Sequence, residues 1–319
     1  MKICSVNFNN LYNNLYCKNK NYNYFGDLHS DCFVKSKNVA FTSLEKRNKD
    51  VNLFMNDLIT KVSSPEFLMS DISNTIHKYS KHVNVKPMSK APKEVLFSEK
   101  LQGVYCTPLV FDETSNKFFI PKKNRNFYFR EETLKNDFGN ISAFINAVHE
   151  FTHILQSEEN EPKQINLFNS YIEENKSNVN DALEQVYLVM GLANTIEENI
   201  ARPFLDALSE NEEILYRRVE NGKKDILPWL SRKKQVTDIN DYVEQKVISS
   251  IKNAESKFNK KVDKGLLFKN TIIHFEKEIE AYENENQAYK LCLQTECPDS
   301  LLRIELYKNA IEALKQMKE

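Results

Sequence analysis

NISAFINAVHEFTHILQ, residues 140–156, decides how this 319-residue chain is read. Its apolar residues Ile141, Phe144, Ile145, Val148 and Leu155 recur at the spacing that gathers them on one side of an α-helix. Asn140 stands where a side-chain oxygen can cap that helix's first free N–H groups. The same stretch contains His149, Glu150 and His153. Four residues apart on a helix, two imidazoles project from one face a turn apart, and a carboxylate next to the first lies about 100° around. Two nitrogens can then meet one metal ion while the carboxylate stands beside its open position, which is what metal-assisted hydrolysis needs.

Outward from this helix the pattern changes twice. Upstream, GVYCTPLVF, the turn-like DETSN, KFFIP and NFYFRE fill residues 103–131 with short apolar runs between turn residues, which predicts a small antiparallel sheet. Before it, VNVKPMSKAPKEV reads as a connector. Earlier still, from about Asp50, Leu53, Phe54, Leu58 and Val62 mark one helical face, and Leu68, Ile72, Ile76 and Tyr79 mark another. Residues 1–45, rich in Asn, Tyr, Lys and Ser without a period, read as a loosely ordered leader to a domain spanning 46–319. Downstream, the polar stretch 157–178 reads as a long connection of the kind that forms lids or binding loops. Helices are predicted at about 179–208, 210–222, 237–262, 268–293 and 300–318. The fold class is therefore α+β, a small antiparallel sheet packed on a mostly helical body.

Composition excludes several functions. The six glycines are scattered singly, so neither a dinucleotide fingerprint nor a P-loop is present. With 44 basic against 45 acidic residues, the charge balance points to no nucleic-acid partner. The short basic clusters at 122–125 and 231–234 read as solvated loops. No run approaches the roughly 18 apolar residues of a membrane helix, so no stable membrane insertion is expected, and the N-terminus is polar where a Sec signal needs its apolar run. Six cysteines without a CxxC pair read as reduced thiols, and Cys292 and Cys297 are given no role.

An HExxH match arises by chance in roughly one in a hundred chains of this composition. The helical setting and the sheet before it are independent support. On His149, Glu150 and His153, with that sheet just upstream, the chain resembles the zincin metallopeptidases. The resemblance implies Zn2+ on His149 and His153, Glu150 as general base, a protein or peptide substrate, and an edge strand that pairs with extended substrate, for which NFYFRE is the candidate. The metzincin continuation is missing, since Gln156 and Glu159 stand at its later positions. The partner motif of peptide deformylases is not recognisable. The gluzincin pattern, with a downstream helical glutamate as third ligand, fits best.

Three glutamates lie in the small-residue context usual for that ligand: Glu198 with Ala201, Glu278 with Ala281, and Glu285 with Ala288. Glu278, Ala281, Glu285 and Ala288 form one small-and-polar stripe flanked by Tyr282 and Tyr289, which favours Glu278. Either tyrosine can donate to a developing oxyanion, with Tyr282 taken as the catalytic candidate. Glu198 is nearer the motif in sequence, and Arg202 one turn on can serve it or an oxyanion. Both glutamates stay open as metal ligands. His274, one turn before Glu278, can help hold substrate or intermediate.

The expected function is a zinc-dependent endopeptidase. It resembles bacterial effector and toxin zincins that specialised machinery exports into another cell, with an intracellular bacterial protease as the other setting. The alternative is a non-catalytic helical interaction protein with an incidental or degenerate HExxH, and metal analysis with chelation separates the two. Sequence does not specify an oligomeric state.

Overall fold

The computed structural model describes residues 39–62, 64, 66–92, 103–130, 134, 137–158 and 162–318. Among them the chain runs α1 (Val39–Val62), α2 (Met69–Tyr79), β1 (Val83–Pro87), β2 (Gly103–Cys106), β3 (Val110–Asp112), β4 (Lys117–Phe119) and β5 (Arg125–Phe129). There follow α3 (Asp137–Ser157), α4 (Lys163–Glu174), α5 (Val179–Glu210), α6 (Glu212–Glu220), α7 (Ile226–Lys234), α8 (Ile239–Phe258), α9 (Lys264–Leu293) and α10 (Pro298–Lys318). The α+β class holds. Helix α1 starts at Val39, so the boundary expected near residue 45 falls inside it, and residues 1–38 of the expected leader lie outside the described residues.

The sheet differs from expectation in its pairing. It is mixed, in the order β1-β5-β2, with β1 parallel to β5 and β2 antiparallel to it. The expected connector supplies the extra strand: Val83 pairs with Arg125 and Pro87 with Phe129. A proline at a strand end on a sheet edge removes no needed ladder donor. Asn126–Phe129 of NFYFRE lie in β5, which is central and paired on both sides, so they have no edge to offer substrate. The edge beside α3 belongs to β2. β3 and β4 form a separate ribbon, Phe111 opposite Phe118.

Alternation along β5 sorts its side chains. Phe127 and Phe129 join a core with α1, α2 and α3, whereas Tyr128 packs on the opposite face with Met88 and Val104. In the first core Phe54 of α1 stacks on Phe151 of α3, ring centroids 4.1 Å apart. A second, larger core joins α4 to α10, and Phe118 of the ribbon inserts into it. Helix α3 is buried on nearly all sides between the two, packing against the sheet, α1 and α9.

Two helices were not legible in the sequence. Residues 163–174 of the expected connection form α4, which buries only Phe168 and Ile172, too few for a visible apolar stripe. Helix α7 is short and carries Pro228 in its first turn, where the missing N–H costs nothing. Among the described residues no helix is long and apolar enough to cross a membrane.

Candidate metal centre

The motif lies in the buried half of α3, and α9 crosses beside it with its small-and-polar stripe turned inward. Glu278, Ala281, Tyr282, Glu285 and Ala288 are all buried there, and Asn284 donates to Thr152 Oγ1 of α3 at 3.1 Å. Asp263 caps α9 by accepting from Leu266 N at 2.9 Å. The alanines leave room for the two backbones to approach, which carries Glu278 to the histidines.

His149 Nε2 and His153 Nε2 are 3.2 Å apart. Glu278 reaches both, Oε1 lying 3.4 Å from His153 Nε2 and Oε2 3.8 Å from His149 Nε2. One donor atom from each of the three residues falls within 4.8 Å of the others. The far ring nitrogens have acceptors. His149 Nδ1 is 2.8 Å from Glu285 Oε2, an ion-pair contact not aligned as a hydrogen bond, and Ser300 Oγ donates to Glu285 Oε1 at 3.0 Å. His153 Nδ1 is 2.9 Å from Gln156 Oε1. The Gln156 oxygen at His153 Nδ1 and the Glu285 charge beside His149 Nδ1 favour a proton on each, which turns the two Nε2 lone pairs toward each other and toward Glu278. Such a cluster is repulsive unless a proton or a cation sits within it.

This electrostatic strain shows in the titrating groups. Burial pulls His149 down, but Glu285, Glu150 and Glu278 outweigh it and hold the imidazole up at about 9. Burial and the His149 charge push His153 down to about 4. Glu278 is raised, by burial and then by the nearby Glu197 carboxylate. Buried Glu278 Oε2 and the Tyr282 hydroxyl have no hydrogen-bond partner. Two imidazoles and a carboxylate form an N2O donor set of a kind that can hold a metal ion.

Glu150, buried beside the histidines, accepts from the backbone N–H of Tyr105 at 2.8 Å. The edge strand β2 thus holds one carboxylate oxygen, and burial raises the group above the ordinary glutamate value. Gly103 brings β2 in close, for a Cβ there would overlap Asn146 Oδ1 of α3. The Tyr282 ring meets His149 edge-on, centroids 4.6 Å apart, with the Arg303 guanidinium 5.1 Å from the same ring.

The other sequence candidates separate. Glu198 is half-exposed, pairs with Arg202 and stands outside the metal-ligating group, which also takes Arg202 away from the site. Tyr289 stacks on Tyr216 instead of facing the histidines. The inward residue of that part of α5 is Glu197, which accepts from Tyr307 Oη at 2.7 Å and lies 2.6 Å from His274 Nε2. Its signal was present: Glu197 shares the face of Ala193, Ile196, Ile200 and Phe204, whereas Glu198 is a residue off it. The sequence marks Glu285 only as a possible ligand and Gln156 only as a departure from metzincins; the Gln156 contact to His153 Nδ1 is local, one turn along α3, whereas the Glu285 contact to His149 Nδ1 follows from tertiary packing. No protein-family model, curated protein or solved structure matches the chain.

Proposed function

We propose that the protein is a zinc-dependent peptidase, with His149, His153 and Glu278 as metal ligands and Glu150 as general base. The observation that carries the reading is the convergence of Glu278, from a helix distant in sequence, on the two Nε2 atoms of the HExxH pair. Zinc held there supplies Lewis acidity toward a water molecule and a peptide carbonyl.

The chain's own groups do the rest. Glu150 takes a proton from the attacking water and passes it to the leaving amine. The Tyr105 N–H holds its Oε2, which leaves Oε1 for the transfer. Tyr282 has an uncommitted hydroxyl to offer the oxygen that gains charge at the carbonyl carbon. His274, kept in place by Glu197 one turn from Glu278, is available to substrate on its partly exposed side. An extended peptide adds to the sheet at β2, the edge strand that also restrains the base. A protein substrate inside another cell, reached by specialised export, is the setting its resemblance to exported zincins suggests.

Metal analysis of the purified protein, followed by incubation of wild type and Glu150→Gln with a host-cell lysate and mass spectrometry of new termini, tests the proposal. About one zinc per chain and cleavages confined to wild type support it. No zinc uptake and identical termini favour the helical interaction protein instead.

A further inference from the structure

The contacts behind His153 continue past Gln156 to α9 and α1. Gln156 is buried, and its amide nitrogen donates to two acceptors, the Lys277 carbonyl at 3.1 Å and Glu280 Oε2 at 3.0 Å. Glu280 is itself gripped by Arg47 of α1, whose Nε donates to Oε1 at 2.9 Å and Nη2 to Oε2 at 3.0 Å. Each link fixes the next. The Lys277 carbonyl, which can only accept, and a Glu280 carboxylate that receives both prongs of a guanidinium together call for the amide nitrogen on their side. The amide oxygen then faces His153 Nδ1, which must carry the proton, and Nε2 keeps its lone pair for the centre.

Arg47 belongs to the buried side of α1. It precedes Val51 and Phe54 by four and seven residues, so this guanidinium lies on the side of α1 whose apolar face packs on α3. A helix whose first residues lie in the expected leader therefore reaches a ligand imidazole through an unbroken polar chain.

We infer that Arg47 is a positioning residue for the metal centre, acting through Glu280 and Gln156 to hold His153 in the Nδ1–H tautomer. The effect on metal rests on the zinc reading above; the effect on the tautomer does not.

The test uses the full chain as wild type, Arg47→Lys, Arg47→Ala, Gln156→Ala and the Arg47→Ala/Gln156→Ala pair. Zinc affinity is read by competition with a chromophoric chelator, and the His153 tautomer by nitrogen-15 resonances of the metal-free protein. Gln156→Ala, which removes the direct partner, should weaken zinc by about 10- to 100-fold, and Arg47→Ala by about three- to tenfold. Arg47→Lys, which keeps the charge and loses the fork, should fall between wild type and Arg47→Ala. In the Gln156→Ala background, Arg47→Ala should add nothing. Unchanged zinc affinity and tautomer in Arg47→Ala overturn the inference, and so does an equal loss in both backgrounds, which marks a general loosening of α1. If wild type binds no zinc, the peptidase reading fails, and the tautomer alone decides: a lower Nδ1–H fraction in Arg47→Ala supports the inference and an unchanged one overturns it.

Discussion

His149 Nδ1 lies 2.8 Å from Glu285 Oε2, a carboxylate two helical turns beyond Glu278 on α9 and itself held by Ser300 of α10. One helix face thus carries both the residue that meets the histidines from the front and the residue that backs one of them. Loss of such a supporting carboxylate lowers metal affinity by about 10- to 100-fold in known sites. Glu285→Ala is expected to weaken zinc by that factor, and Ser300→Ala by less, since it removes only the support of the support. Chelator competition measures both, and wild-type affinity in Glu285→Ala would remove the assigned role.

Removal of the base and removal of a ligand should separate. Glu150→Gln keeps the three donors and loses the proton acceptor, so zinc content stays near one per chain while peptide turnover falls by about 10²- to 10⁴-fold. His149→Ala, His153→Ala and Glu278→Ala should lose zinc. Glu198→Ala should bind like wild type, because its carboxylate is occupied by Arg202 outside the cluster. Zinc loss in Glu198→Ala with retention in Glu278→Ala would reverse the ligand assignment.

Gly103→Ala tests the seat of β2. The added methyl meets Asn146 Oδ1 and comes within 3.0 Å of the Phe127 ring, so either the Asn146 side chain gives way or β2 moves off α3. Overpacking of this kind costs about 1–3 kcal/mol, seen as a lower denaturation midpoint. Because Tyr105 is two residues along, turnover should fall more than zinc affinity. Asn146→Ala in the same chain vacates the space and should restore part of the stability.

The Glu197–His274 pair gives stability a definite pH dependence. Burial pushes the Glu197 carboxyl up, but the His274 charge and the His274 and Tyr307 hydrogen bonds outweigh it and hold the group below its ordinary 4.5. Burial pulls His274 down, and Glu197 outweighs that to hold it above 6.5. The carboxylate's share of stability is complete above 4.5 and is lost as pH falls through the folded value. The imidazole's share is complete below 6.5 and is lost as pH rises through its folded value. The pair therefore contributes most between those two pH values. Urea titrations of metal-free wild type and Glu197→Gln measure it: the variant should lose about 3 kcal/mol inside that window and less on either side. A difference independent of pH would contradict this account.

The elements legible in the sequence are those built from local contacts. The residues of α3 repeat every three to four positions, and the geometry between His149 and His153 needs only five consecutive helical residues, so motif, helix and chemistry could be read together. The stripe of Glu278, Ala281, Glu285 and Ala288 was visible for the same reason.

What the tertiary structure alone decided depends on how separate elements meet. Glu197 sits on an apolar face of α5 that the sequence shows, but its partners His274 and Tyr307 come from α9 and α10 and are set by how those helices pack. β5 is central because residues 83–87 pair with it in parallel, an arrangement with no local turn to announce it. The amide of Gln156, the carboxylate of Glu285 and the guanidinium of Arg47 are ordinary polar residues in sequence. They become parts of a site only when buried polar groups must find partners, and α1, α3, α9 and α10 bring those partners together from opposite ends of the chain.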